Sequence, residues 1–385
     1  MFLRVFLVSL GVHLSLGLTT PAWSQNPFLQ NPLQVEEFDD PLLPQTSVDR
    51  PLSPLEKFRL EQNLDQLNQE AMELYEQGKV DEAFAVWYRE LKLRQKLDFV
   101  NEVEALGRVG EFAWLENRTP DFRNIEERLE EIETIALENQ ERNLIEALAI
   151  SYEQMREIDG AIALYEILLE DTENPQQILE TIANLHEAKF NYEQAANTYE
   201  KLLEIAETEN DSVAKTQYLR NLKNLYELSE NPEAGIATKK RLIDIYQQQN
   251  QPAMLPSIMA SLAEDYAETG QLEQAIVTYQ EASGLAWSQE KFAIASDALD
   301  NLARLHLDNN EPEMALETYQ KLLTVQNQSY DYYGLMNTYD AIGELYQQRD
   351  QNEQALSAFE NALKFAQSLS YQEEYFQNKI QNLKS

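Results

Sequence analysis

Glu36, Glu37, Asp39 and Asp40 place four carboxylates around the ring of Phe38, a group of hard oxygen ligands able to hold Mn²⁺ or Ca²⁺ loosely. The same run reads equally as a solvated acidic tail. Other chemistry-bearing residues are sparse. Beyond residue 24 the histidines are His186 and His306, three repeat units apart in the pattern below and too distant to share a ligand. Both fall where a packing tyrosine is expected, so they read as core residues. Cysteine is absent, which excludes disulfides, thiolate metal sites, a cysteine nucleophile and a lipidated junction cysteine. No glycine-rich phosphate loop, His-Glu-x-x-His or Gly-x-Ser-x-Gly occurs. Pairs such as Glu130 and Glu131 lie on a helical face without an apolar pocket to shift them. The inventory supplies no catalytic residue and predicts a protein that is not an enzyme.

The 385 residues carry a formal charge of −37. Such a balance opposes binding to nucleic acid or anionic membrane and favours cations or basic protein segments. Residues 1–24 read as a signal peptide: Arg4, an apolar run from Val5 to Leu18, then Ala22 and Ser24 before a cut at Gln25. The run is too short to span a bilayer, so export to the periplasm or cell envelope with cleavage is expected. Residues 25–54, with prolines at 27, 32, 41, 44, 51 and 54, read as an extended acidic linker or disordered arm. Regular structure is predicted from Ser53-Pro54-Leu55-Glu56, a capping box with proline in the first turn.

From there the chain is helical and repetitive. Alanines opening second helices stand at Ala83, Ala161, Ala195, Ala234, Ala275, Ala315 and Ala355, with Ile125 between the first two. Twelve residues earlier come Ala71, Ala113, Ala149, Ala183, Leu222, Ala263, Ala303 and Gly343, seven of eight small. Four residues after the anchors come Trp87, Leu129, Tyr165, Tyr199, Thr238, Tyr279, Tyr319 and Phe359. Small residues let paired helices approach, and aromatics fill the flanking volume. A hairpin of this kind cannot bury its own apolar faces, so copies must stack.

These offsets resemble the tetratricopeptide repeat (TPR), most fully in Leu262-Ala263, Tyr266, Gly270, Ala275, Tyr279 and Ala282. The resemblance covers about residues 55–368 and implies an all-α, right-handed α-solenoid of about eight helix hairpins. Residues 371–384, with Phe376, Ile380 and Leu383 on one stripe, are expected to form a C-terminal capping helix. The copy around Ala234 fits poorly, with Leu222 and Thr238 of the wrong size. Several copies exceed ~34 residues, so longer helices are expected.

In such a stack the first helices line a concave face, reached by residues fifteen, eleven and eight before each anchor. Those positions give Glu146, Glu153, Glu180, Asn184 and Glu187. The last three repeats add Glu264, Asp300, Arg304, Asp340 and Glu344. This groove is predicted to be acidic and to bind a protein or basic peptide. As an exported, acidic, nearly pure TPR chain it is similar to the processing-associated TPR proteins of the cyanobacterial periplasm. That resemblance implies a photosystem II assembly factor that binds a reaction-centre subunit precursor and manganese. The alternative is an envelope or secreted-protein scaffold with no metal role.

Overall fold

The computed structural model describes residues 31–34, 39–44, 50–170, 172 and 174–384. The expected signal peptide, Glu36 and Glu37 lie outside them. Ser53 starts the first long helix: its hydroxyl accepts from the Glu56 N–H while the Glu56 carboxylate accepts from the Ser53 N–H. Among the described residues there are seventeen α-helices and no strand, the architecture of an α-solenoid of helix hairpins. None of these helices is long and apolar enough to cross a membrane.

The chain divides into two units, 1–171 and 172–385. The first contains α1 (Pro54–Glu76), α2 (Val80–Arg94), α3 (Phe99–Leu115), α4 (Thr119–Asn139), α5 (Arg142–Gln154) and α6 (Ile158–Leu169). Trp87 is fully buried here between Phe84 and the stacked ring of Phe112. Two acids of the helices are also buried: Glu90 is held by Arg94 and Arg108, and Glu102 by Arg128.

The arm expected to be free over residues 25–54 needs correcting in its described parts. Asn31 donates to the Asn124 carbonyl and to Glu127 on α4, and Leu33 is buried. Leu42, Leu43 and Leu52 pack on Leu60, Leu64 and Leu93. Asp40 is buried against the Arg89 guanidinium at 2.7 Å. Widely spaced leucines and one aspartate anchor the arm, and they carry no periodicity for sequence reading to detect.

The second unit contains α7 (Gln176–Ala188), α8 (Tyr192–Thr208), α9 (Ser212–Leu228), α10 (Pro232–Gln248), α11 (Leu255–Glu268) and α12 (Leu272–Ser288). It continues with α13 (Phe292–Asp308), α14 (Pro312–Gln328), α15 (Tyr332–Gln348), α16 (Asn352–Leu369) and the capping helix α17 (Glu373–Lys384). Seven of these helices, α8, α9, α10 and α12 to α15, are 17 residues long. Phe190, Asn210, Glu230, Asn250, Gly270, Glu290, Asn310, Tyr330, Asp350 and Ser370 all adopt left-handed backbone, one every twentieth residue. Each ends a helix; after Tyr330, for example, the Asp331 N–H bonds back to the Gln326 carbonyl. The length beyond a 34-residue repeat is therefore taken up by the helices, as expected.

This metric corrects the fifth anchor. The fourth residue of α8, α12, α14 and α16 is the buried alanine Ala195, Ala275, Ala315 or Ala355. In α10 the fourth residue is Gly235, which is buried while Ala234 is half-exposed. Anchors from Ala195 to Ala355 then fall every 40 residues. The aromatic site four residues on is taken by Lys239, not Thr238, and Tyr226 takes the site nine residues before. Ten residues before the anchors stand Leu185, Leu225, Asp265, Leu305 and Leu345. At one seam, then, glycine replaces alanine, lysine replaces an aromatic ring and aspartate replaces leucine.

Candidate functional site

The predicted inner-face residues gather around tyrosine hydroxyls of the second helices. In the first unit, the Tyr165 hydroxyl donates to Glu153 at 3.2 Å and lies in the field of Glu146. In the second unit, Tyr199 donates to Asn184 at 3.4 Å and lies near Glu187 and Glu180. Tyr279 is within the influence of Glu264, and Tyr319 within that of Asp300, Arg304 and Glu344. The geometry follows from the fold: a ring four residues past the anchor packs across the hairpin, and its oxygen emerges between first helices. Burial, then neighbouring carboxylates, pushes the Tyr199 and Tyr279 hydroxyls up to about 12, so both remain protonated donors.

Not every predicted carboxylate is equally open. Glu180 accepts from the Tyr218 hydroxyl at 2.6 Å, and Arg304 pairs with Asp300 on its own helix at 2.6 Å. Asp340 and Glu344 are bridged by Lys379 of α17 at 2.7 and 2.6 Å, and Tyr375 donates to Asp340. Lys379 also lies over the Phe359 ring. These two acids therefore hold the capping helix, although half of the Glu344 side chain still meets solvent.

The metal expectation at Glu36, Glu37, Asp39 and Asp40 does not fit where it can be seen. Both Asp40 oxygens accept from Arg89, which holds its carboxyl below the usual range, and one also caps the Leu42 N–H. Among the described residues no cluster of three His, Asp or Glu side chains is arranged to hold a metal ion. His306 is buried with Nδ1 2.7 Å from Glu311, as a packing residue would be. His186 is half-buried at the end of α7.

Two acidic pockets lie largely outside the inner-face offsets, which reach only Glu264 among their bordering residues. In the first unit, Glu126, Glu130, Glu133 and Glu157 border a cavity of about 350 Å³ beside Tyr152, whose hydroxyl donates to Glu133. Burial, then Glu157 and Glu130, pushes the Glu126 carboxyl up. In the second unit, a cavity of about 290 Å³ opens between α9, α10 and α11 at the altered seam. Lys239, only 1% exposed, places Nζ 2.8 Å from Asp265, 3.1 Å from Glu227 and 3.4 Å from the Ser261 carbonyl. An unbroken 40-residue count back from Ala275 would have flagged this seam; a search for alanines does not.

A family profile described as Soluble NSF attachment protein, SNAP, matches residues 141–332, just under half of the chain. No curated protein matches in sequence. Among solved structures, the apo form of RapI is 12% identical, with 83% of this chain and 97% of that one covered at a TM-score of 0.37. MamA is 18% identical over 49% of this chain and 96% of its own, with a TM-score of 0.36. A Podosopora anserina array of nearly identical TPR-like repeats is 14% identical, covering 51% and 99%, with a TM-score of 0.39. Likeness at this level says nothing about what the chain binds. The recurring hairpin motif, the all-helical architecture and the SNAP-type match over residues 141–332 support a place for this chain among TPR-like helical-repeat proteins.

Proposed function

We propose that this chain is an exported, non-enzymatic scaffold that binds a basic protein segment along the carboxylate-rich rows of its first helices. The observation that carries the reading is the clustering of inner-face acids around protonated tyrosine hydroxyls in each unit, as at Tyr165 and Tyr199. Rigid helices hold these acceptors in fixed register, and a repeat stack offers a long surface without a reaction centre. Acidic rows with few cations steer and orient a positively charged partner. Helical-repeat scaffolds of this kind are generally non-catalytic.

Within that reading, the resemblance to processing-associated TPR proteins nominates the precursor of a photosystem II reaction-centre subunit as the partner. Manganese delivery is the finer version. The engagement of Asp40 by Arg89 favours the version without a metal role and leaves Glu36, Glu37 and Asp39 to carry the other.

Cross-linking of the full chain in its native host, followed by mass spectrometry, tests the scaffold. Cross-links from a basic partner segment to first-helix residues are expected; links confined to second helices overturn the inner-face reading. Calorimetry with Mn²⁺ and Ca²⁺ tests the metal, and affinity no tighter than about 1 mM sinks it. Mature protein beginning at Gln25 is the expected sign of export and cleavage.

A further inference from the structure

The altered seam is built at a cost. Elsewhere in the second unit the three positions carry alanine, an aromatic ring and leucine, the residues that pack a hairpin. Here Gly235, Lys239 and Asp265 exchange apolar packing for a buried ion pair, which is weak stabilisation at best. Departures of this kind concentrate where a protein uses a site.

Three further observations point to a ligand. The cavity is bordered by the carboxylates of Glu227, Glu230, Glu264, Asp265 and Glu268; Glu227 is already held by Lys223, Lys239 and Ser261, and Lys239 also meets Asp265, which leaves Glu230, Glu264 and Glu268 without an ammonium from the cavity wall. Asp265 is 6% exposed, and its Oδ2 has no hydrogen-bond partner although Oδ1 meets Lys239. That orphaned oxygen faces the bare Cα of Gly235: a Cβ there would stand 2.7 Å from Oδ2. An alanine, as in the sister hairpins, would clash with the Asp265 carboxylate. Tyr226 adds a ring to the wall, its hydroxyl committed to Glu200 at 2.5 Å.

We propose that the cavity between α9, α10 and α11 is a receptor for an arginine side chain of the partner. A planar fork of five donors suits several divergent carboxylates, and a guanidinium stacks on an aromatic face. A lysine offers a single point charge, and Lys239 already supplies one. Glu264 belongs both to the predicted inner-face row and to the cavity border, so a chain lying along the row can place a side chain here. This inference rests on the scaffold reading above and adds a specific anchor to it.

The test is fluorescence anisotropy with the full chain and a labelled nine-residue peptide of alternating arginine and serine, beside its lysine counterpart. The arginine peptide is expected to bind, with the lysine peptide about fivefold weaker. E264Q/E268Q, two exposed carboxylates made neutral, should lower affinity about tenfold. E193Q/E204Q, which removes the same charge from exposed positions on α8, should change it by less than about twofold. G235A, whose Cβ would displace the Asp265 carboxylate, should also weaken arginine binding, and thermal melts report whether each variant is folded. Equal binding of the two peptides, or equal losses in the two double variants, overturns the receptor and leaves the acidic scaffold standing. Failure of both peptides to bind the unmodified chain overturns both.

Discussion

The ammonium of Lys239 lies 2.8 Å from the carboxylate of Asp265, joining two adjacent hairpins through positions that the neighbouring hairpins fill with rings and leucines. Removing Asp265 leaves the buried Lys239 ammonium with only Glu227 and the Ser261 carbonyl. D265A should therefore cost about 1.5–3 kcal/mol, the worth of a hydrogen bond to a charged group. Restoring the sister residues in G235A/K239Y/D265L should be neutral, or stabilise by about 1–4 kcal/mol. Thermal melts followed by circular dichroism separate these outcomes; a D265A melt matching the parent would show that the pair carries no load.

Acidity should strengthen the fold before it weakens it. Burial raises the carboxyls of Asp265, Glu264 and Asp297 in the second unit and of Glu126 in the first. A group whose folded pKa lies above its unfolded value binds protons preferentially in the native state. Its contribution is complete below the unfolded pKa and fades as pH rises through the folded one. Melting temperature should accordingly rise as pH falls from neutrality towards the ordinary carboxylate range of about 4. The opposite group, Asp40 and Glu227, is depressed by hydrogen bonds from Arg89 and from Ser261, Lys223 and Lys239. Their stabilisation is lost only below the ordinary carboxylate range. A melting temperature that falls steadily across that interval would contradict the assignment.

Gly343 permits the last hairpin to close. A Cβ on it would meet the Phe359 ring at 2.5 Å, and Phe359 is fully buried. G343A should cost about 1–3 kcal/mol through overpacking. G284A makes a useful control, because a Cβ at Gly284 meets nothing within 4 Å. Equal melting of the two variants would disprove the close approach.

Lys379 is the clasp of the capping helix. Its pairing with Asp340 and Glu344 outweighs burial and holds its pKa above the usual lysine value. K379E sets a third carboxylate against two others and should loosen α17. Amide hydrogen exchange over residues 373–384 should accelerate by about tenfold or more, while α13 and α14 remain protected. Unchanged protection would mean that the buried ring of Phe376 suffices.

Most of the solenoid was legible in the sequence because its determinants recur. Ala195, Ala275, Ala315 and Ala355 repeat a steric requirement at fixed spacing, as do the rings four residues beyond them. The fifth hairpin was misplaced by one residue because the alanine test finds Ala234, whereas the helix buries Gly235. The chain's acidity was legible too, but not which acids are occupied. Lys379 of the capping helix reaches Asp340 across 39 residues, and Arg89 of α2 reaches Asp40 of the arm across 49, so each pair ties the repeats to an element outside their pattern. Tyrosine hydroxyls likewise meet first-helix acids through the packing of different helices, which a one-dimensional offset does not represent.

The even spacing of the second unit has a consequence for how such a chain acquires specificity. With anchors every 40 residues, each hairpin is an interchangeable address, and a binding feature written at one address can be rewritten at the next. A275G, Y279K and L305D would copy the Gly235, Lys239 and Asp265 set one repeat along. Such a variant should open a second acidic seam 40 residues along the array, in the same register as the first.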